Sequence, residues 1–271
     1  MRNMKNNPIG IFDSGIGGLT IVKEIIKALP FESIIYLGDT ARVPYGPRSK
    51  EVIAKFAKEL AQFLLKRDVK CLVVACNTIS ATSLEEIVKI SPVPVIGVVE
   101  PTIEAAVKTI RGKKIGVIGT AGTINSGVYE DKIGKLNKSI KVSVGACPLF
   151  VPLAEEGLGN HKATKIIAEG YLRGLKKKKI DTLILGCTHY PVLAATIQQI
   201  MGKQVKLVDS AKPTAQKLKQ LLTEKELVTE NRSPEYRFFV TDAPEKVIEV
   251  AGRFFGKGLD GNLAKINLPT L

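Results

Sequence analysis

The sequence predicts an α/β protein made of two units of similar plan, each with a mainly parallel central sheet. Three observations predict it. Short apolar, β-branched runs alternate with segments of helical period, the pattern of parallel strands covered by helices on both faces. The alternation passes through four strands and then begins again. In each unit the third strand ends on a cysteine, in "VVACNT" and in "LILGCTHY".

In the first unit "PIGIFD" (8–13) reads as a strand. Apolar residues at 19, 22, 25, 26 and 29 make one face of a helix over 18–29. "SIIYLGD" (33–39) is a second strand, and 49–67 a long amphipathic helix with Ser49 as N-cap and basic residues at its end. "CLVVACN" (71–77), a helix over 82–90 and "VPVIGVV" (93–99) complete the unit. The second unit runs strand 113–120, helix 124–136, strand 140–147, helix 161–178, strand 181–187, helix 191–201 and strand 204–210. The tail adds a helix from residue 211, the strand "YRFFVTD" and the helix "PEKVIEVAGRFFG". These are too little for a third domain and are expected to pack back on the first. The expected domains are therefore 1–99 with 210–271, discontinuous, and 100–209.

Composition narrows the function. With 271 residues, 45% of them hydrophobic, the chain can bury a substantial core. No apolar run approaches the length of a membrane span. The stretch "MRNMKNNPIG" holds no apolar segment ahead of a cleavage site, so a cytoplasmic protein is expected. Four cysteines, without a CxxC pair, are too few for a disulfide scaffold, and two histidines argue against a closed zinc site. The net charge of +14 raises nucleic-acid binding, but the excess is spread. Residues 100–209 carry 17 basic and 9 acidic side chains, the remainder 23 and 17. The one dense run, "LKKKKID", reads as a solvated surface, and no aromatics interleave with basic residues as a stacking platform requires. A small anionic substrate fits this field better.

Ligands of open parallel sheets bind outside the carboxyl ends of the strands. Those ends carry Asp13 and Ser14 in "FDSGIGG", Asp39, Thr40, Tyr45 and Gly46 in "GDTARVPYG", and Cys76, Asn77 and Thr78. In the second unit they carry Thr120, Glu155 and Glu156, and Cys187, Thr188 and His189. "DSGIGG" has neither the ending of a phosphate loop nor dinucleotide-binding glycine spacing. Cys71 and Cys147 read as core residues. Cys76 and Cys187 differ, each sitting at a strand's exit before an expected helix, where backbone N–H groups and the helix dipole should lower a thiol's pKa from about 8.5. His189 is placed to polarise or protonate Cys187, whereas His161 reads as the start of a helix. A serine triad would need a nucleophile elbow, which is missing. Two thiols facing one cleft suit removal of a proton from a carbon and its return to the opposite face.

These stretches, with "VIGVVEPT", "GVIGTAGTI" and "CPLFVPLAEEG", resemble glutamate racemase over essentially the whole chain, and the wider aspartate/glutamate racemase group less closely. The resemblance implies two pseudo-symmetric α/β domains with the active site in the cleft between them. It implies interconversion of L- and D-glutamate with no cofactor and no metal, for peptidoglycan, in a homodimer. It places the two acid/base thiols on Cys76, acting on the D-isomer, and Cys187, acting on the L-isomer. It puts Asp13 and His189 beside them, and a further acidic helper on Glu155 or its neighbour Glu156, with Glu155 favoured. Substrate-holding positions fall on Asp13, Ser14, Tyr45, Gly46, Asn77, Thr78, Thr120, Thr188 and His189. Rival readings are an aspartate or hydantoin racemase, a non-catalytic sensor of acidic amino acids, and a binder of anionic partners.

Overall fold

The computed structural model describes residues 4–256, 259 and 263–268. The first three residues of the polar stretch "MRNMKNN" lie outside them. In chain order the elements begin with a 3-10 turn at Met4–Asn6, β1 (Ile9–Asp13), α1 (Leu19–Ala28), β2 (Ile34–Gly38), α2 (Lys50–Leu65), β3 (Cys71–Val74), α3 (Asn77–Thr82), α4 (Leu84–Ile90) and β4 (Val95–Gly97). There follow α5 (Val99–Thr109), β5 (Lys114–Gly119), α6 (Ala121–Asn125), α7 (Val128–Leu136), β6 (Lys141–Ala146), α8 (Phe150–Glu155), α9 (Lys162–Lys177) and β7 (Thr182–Gly186). A 3-10 turn at Tyr190–Leu193, α10 (Ala194–Met201), β8 (Lys206–Val208), α11 (Ala211–Glu224), β9 (Tyr236–Val240), α12 (Pro244–Phe255) and β10 (Leu263–Lys265) complete the chain.

The strands form two sheets, ordered β10-β9-β2-β1-β3-β4 and β6-β5-β7-β8, and all pairings are parallel. The shared plan is visible in the order. β2-β1-β3-β4 and β6-β5-β7-β8 both place the first strand of the unit beside its third. Strand order reverses at that point, and there a crevice opens at the strands' carboxyl ends. The loops after β1 and β3 carry Ser14 and Cys76; those after β5 and β7 carry Thr120 and Cys187. The tail returns to the first sheet, β9 pairing with β2, and α11 packs along α1.

Local chemistry sets several boundaries. The Ser49 hydroxyl accepts from the Val52 N–H at 3.4 Å and caps α2. His161 caps α9, its Nδ1 accepting from the Ala163 N–H at 3.2 Å. The structure corrects other expectations. The helix over 82–90 is α4 and starts at Leu84, and a further short helix, α3, precedes it across Ser83. The strand over 93–99 stops at Gly97, because α5 starts at Val99. The helix over 124–136 divides at Gly127, whose φ of 67° is left-handed and suits glycine. The helix expected from 191 opens with a 3-10 turn.

A buried ion pair ties the tail to the first sheet. Lys70, just before β3, pairs with Glu32, just before β2, both side chains out of solvent. Lys70 Nζ also donates to the Lys5 carbonyl at 2.6 Å and the Leu227 carbonyl at 2.8 Å, and Glu32 Oε1 accepts from the Thr229 N–H at 2.9 Å. Removing one member leaves a buried charge alone, so Glu32→Ala should cost about 3–5 kcal/mol. A Glu32→Gln/Lys70→Met double variant should lose much less. Urea unfolding of the three proteins checks this.

Candidate active site

A cavity of about 240 Å³ lies where the strand ends of the two sheets meet. It is lined by Ser14, Tyr45, Gly46, Cys76, Asn77, Thr78, Thr120, Glu155, Cys187, Thr188 and His189, together with Val43, Pro44, Val151 and Pro152. The structure thus brings to one space, from both units, eleven of the twelve catalytic and substrate-holding residues that the resemblance implies; of the other strand-end candidates, Asp39, Thr40 and Glu156 do not line it. The twelfth, Asp13, is the last residue of β1 and is buried behind the lining. The four apolar members carry no chemical signal in the sequence, where only polar side chains mark a strand end as a site.

Close packing between the units depends on glycine. A Cβ on Gly17 would strike Thr188 Oγ1 and His189 Nδ1, so only glycine lets the loop after β1 lie against the Cys187 loop. At Gly46 a Cβ would come within 2.8 Å of Thr120 Cβ, and the Gly46 carbonyl accepts from the Gly122 N–H at 2.8 Å. Thr78 and Thr120 share a hydroxyl hydrogen bond of 2.9 Å, again between units.

The two thiols have opposite surroundings. Cys76 caps α3, and its sulfur shares a hydrogen bond of 3.3 Å with the Ser14 hydroxyl. Behind it, Asp13 Oδ2 accepts from the Gly18 N–H at 2.7 Å, while Asp13 Oδ1 is buried with no hydrogen-bond partner among the described residues. Burial, then the charge of Asp13, push the Cys76 thiol up to about 12 against the pull of the Ser14 and Ile79 hydrogen bonds. This corrects the expectation that the helix end would lower it: a single turn's N–H groups lose to desolvation and a buried carboxylate. Cys187 is followed by His189, with Sγ 3.9 Å from Nδ1, and His189 Nε2 is 3.0 Å from Glu155 Oε1. Burial pulls this imidazole down, but the hydrogen bonds and charges of Cys187 and Glu155 win and lift it to about 10. Charge on Cys187 and Glu155 thus favours the protonated ring. Glu156 points away, exposed and ion-paired with Lys246 at 3.9 Å. Asn77 Nδ2 donates to the Tyr129 and Ser210 hydroxyls at 3.1 Å each, leaving Asn77 Oδ1 buried without a hydrogen-bond partner among the described residues. Cys71 and Cys147 lie in the core, as expected.

A buried cavity with a thiol on each of two facing units, one backed by a carboxylate and one by an imidazolium, is the equipment of an acid–base isomerase acting at a carbon centre. Comparison with known proteins agrees. The family model described as Asp/Glu/Hydantoin racemase matches residues 9–218, and the chain belongs to this family. It is 48% identical over 261 residues to the glutamate racemase of Geobacter metallireducens, covering 96% of each chain. The crystal structure of a glutamate racemase isoform from Bacillus anthracis superposes with a TM-score of 0.94 at 41% identity, covering 98% of this chain and 100% of that one. That of the Francisella tularensis glutamate racemase in complex with D-glutamate gives 0.92 at 42% identity, with the same coverage.

Two outcomes follow from the electrostatics. With Cys187 replaced by alanine, alkylation of Cys76 by iodoacetamide should be slow at pH 8 and climb steadily toward pH 11. Asp13→Asn should speed it several-fold at pH 8 by removing a raising charge; mass spectrometry of the modified peptide reads both. The His189 pKa is raised on folding, so its contribution to stability is fully present below about 6.5 and is lost as pH rises through about 10. His189→Gln should flatten the fall in unfolding free energy across that window, measured by urea titration at successive pH values.

Proposed function

We propose that this chain interconverts L- and D-glutamate without a cofactor, moving protons between the substrate α-carbon and two thiols. The observation that carries the reading is one cavity lined by both Cys76 and Cys187 in a member of this family. Similarity to glutamate racemases over nearly the whole chain favours glutamate over other acidic amino acids.

The chemical obstacle is the weak acidity of an amino-acid α-hydrogen, which many enzymes overcome with pyridoxal phosphate. Here the charge that develops toward the α-carboxylate falls to hydroxyls of Ser14, Thr78, Thr120 and Thr188, which line one small cavity. The substrate ammonium is met by Asn77 Oδ1, which has no hydrogen-bond partner among the described residues, on the side of the cavity that Asp13 stands behind. That cation offsets the charge of Asp13 and draws Cys76 toward the thiolate. On the D-isomer, Cys76 takes the α-proton and the Cys187 thiol returns one to the opposite face. On the L-isomer the roles exchange. His189, held by Glu155, supplies or receives the proton that resets Cys187. Each starting state needs one thiolate and one thiol.

The domain assignment offered with this reading is 1–99 with 210–271 and 100–209, supported by the return of β9 and β10 to the first sheet. The family resemblance supports a cytoplasmic homodimer that supplies D-glutamate for peptidoglycan. Among the described residues no helix is long and apolar enough to cross a membrane.

In deuterium oxide, solvent deuterium should appear at the α-carbon of the product from the earliest turnovers. Cys76→Ser and Cys187→Ser should each lower racemisation, followed by circular dichroism, by about a thousandfold or more. Near-normal turnover in either variant, or product without label, would overturn the two-thiol scheme.

A further inference from the structure

We infer that Asp39 is a positioning residue that fixes the loop of residues 42–46 over the cavity, with the Tyr45 side chain as its strut rather than as a group that touches substrate. The inference rests on the proposed glutamate racemisation and names what holds one wall of that site.

Asp39 follows β2 and is completely buried. Its Oδ2 accepts from the Tyr45 hydroxyl and from Arg42 Nε, the latter at 2.6 Å. Its Oδ1 accepts from the Thr241 hydroxyl at 2.8 Å, and Thr241 in turn accepts from the Ala41 N–H at 2.9 Å. Thr241 follows β9, the neighbour of β2, so the carboxylate is gripped by the sheet on one side and grips the loop on the other. Arg42 extends the anchor to α2, where Nη1 donates to Glu59 and the guanidinium lies 4.0 Å over the Phe56 ring. Tyr45 packs its own ring against Phe56, centroids 5.5 Å apart.

The far end of the loop crosses to the second unit through Gly46 and Gly122. Between these two ties, residues 43–46 face the cavity. The one polar atom of the Tyr45 side chain is committed to Asp39. Burial and the Asp39 charge push that phenol upward, so it stays a donor. What Tyr45 and Gly46 offer a ligand is backbone: neither N–H has a hydrogen-bond partner among the described residues. Two adjacent free N–H groups make an anion cradle, and its aim is set by the strut. An interaction of this kind holds substrate and transition state alike, so loosening it weakens binding and spares the chemical step.

The test compares wild type, Tyr45→Phe, Asp39→Asn and the double variant. KM and kcat are measured in both directions by circular dichroism, with urea unfolding alongside. Each single variant should raise KM for both enantiomers about tenfold, the scale of one charge-assisted hydrogen bond. Its kcat should stay within about threefold of wild type. The double variant should match the worse single one, because both break the same bond. Unchanged KM with a lowered unfolding midpoint would make the network structural only and overturn the inference, as would multiplying effects in the double variant. If Asp39→Asn does not fold, Tyr45→Phe alone still decides, since it removes one oxygen and keeps the ring. A wild type inert toward both enantiomers would instead overturn the proposed function, and this inference with it.

Discussion

Two parallel sheets opening their strand ends onto one small space are the constraint on which the rest of the structure depends. Neither sheet holds a complete set of groups. The first supplies Cys76, Ser14 and the loop of Tyr45 and Gly46; the second supplies Cys187, His189, Glu155 and Thr120. Bringing them together demands backbone approach closer than any side chain permits, which explains the glycines at 17 and 46. It also demands polar contacts across the seam, and the shared hydroxyl bonds of Thr78, Thr120 and Thr123 supply them. Apolar burial crosses the seam as well: one buried cluster joins Ile16 and Leu19 of the first unit to Leu185 and Leu193 of the second, and the hydroxyl bonds lie beside it.

The seam has an electrical direction. A buried carboxylate stands behind Cys76 and a buried imidazolium behind Cys187. Reversal of the reaction exchanges the roles of the thiols but not their surroundings, so the two half-reactions are not mirror images. On one side a proton is held on sulfur by burial and by Asp13. On the other, His189 and Glu155 form a store from which a proton can move. An α-amino acid brings a cation for the Asp13 side and an anion for the hydroxyls and free N–H groups.

Much of this was legible in the sequence, for a physical reason. Strand-exit chemistry is local: a residue that ends a buried parallel strand must face the crevice, so Cys76, Cys187 and their neighbours could be selected from pattern alone. What failed was information carried by tertiary contact. Glu155 and Glu156 are adjacent and chemically equal; only the packing of α8 turns one to His189 and the other to Lys246. The helix α5 is hard to read because its first residue, Val99, ends an apolar β-branched run and Pro101 follows at once, so the start looks like a strand running into a turn. The role of Asp39 depends on Thr241, 202 positions away. The sign of the shift at Cys76 was misjudged because a helix end is visible in sequence, whereas desolvation is a property of everything packed around it.

That upward shift bears directly on the chemistry. A thiol with a low pKa ionises easily, but its thiolate is a weak base, far from the basicity of a carbanion. Brønsted behaviour makes such a group poor at removing an α-proton. A thiol pushed up to about 12 is hard to ionise in the empty cavity, yet strong as a base once ionised. The two requirements conflict in a rigid, ligand-free site. They are reconciled if the ammonium group of the ligand compensates the thiolate as it forms, so that part of the binding free energy goes into creating the base. The burial that keeps Cys76 inert without substrate is then the same burial that makes it competent with one.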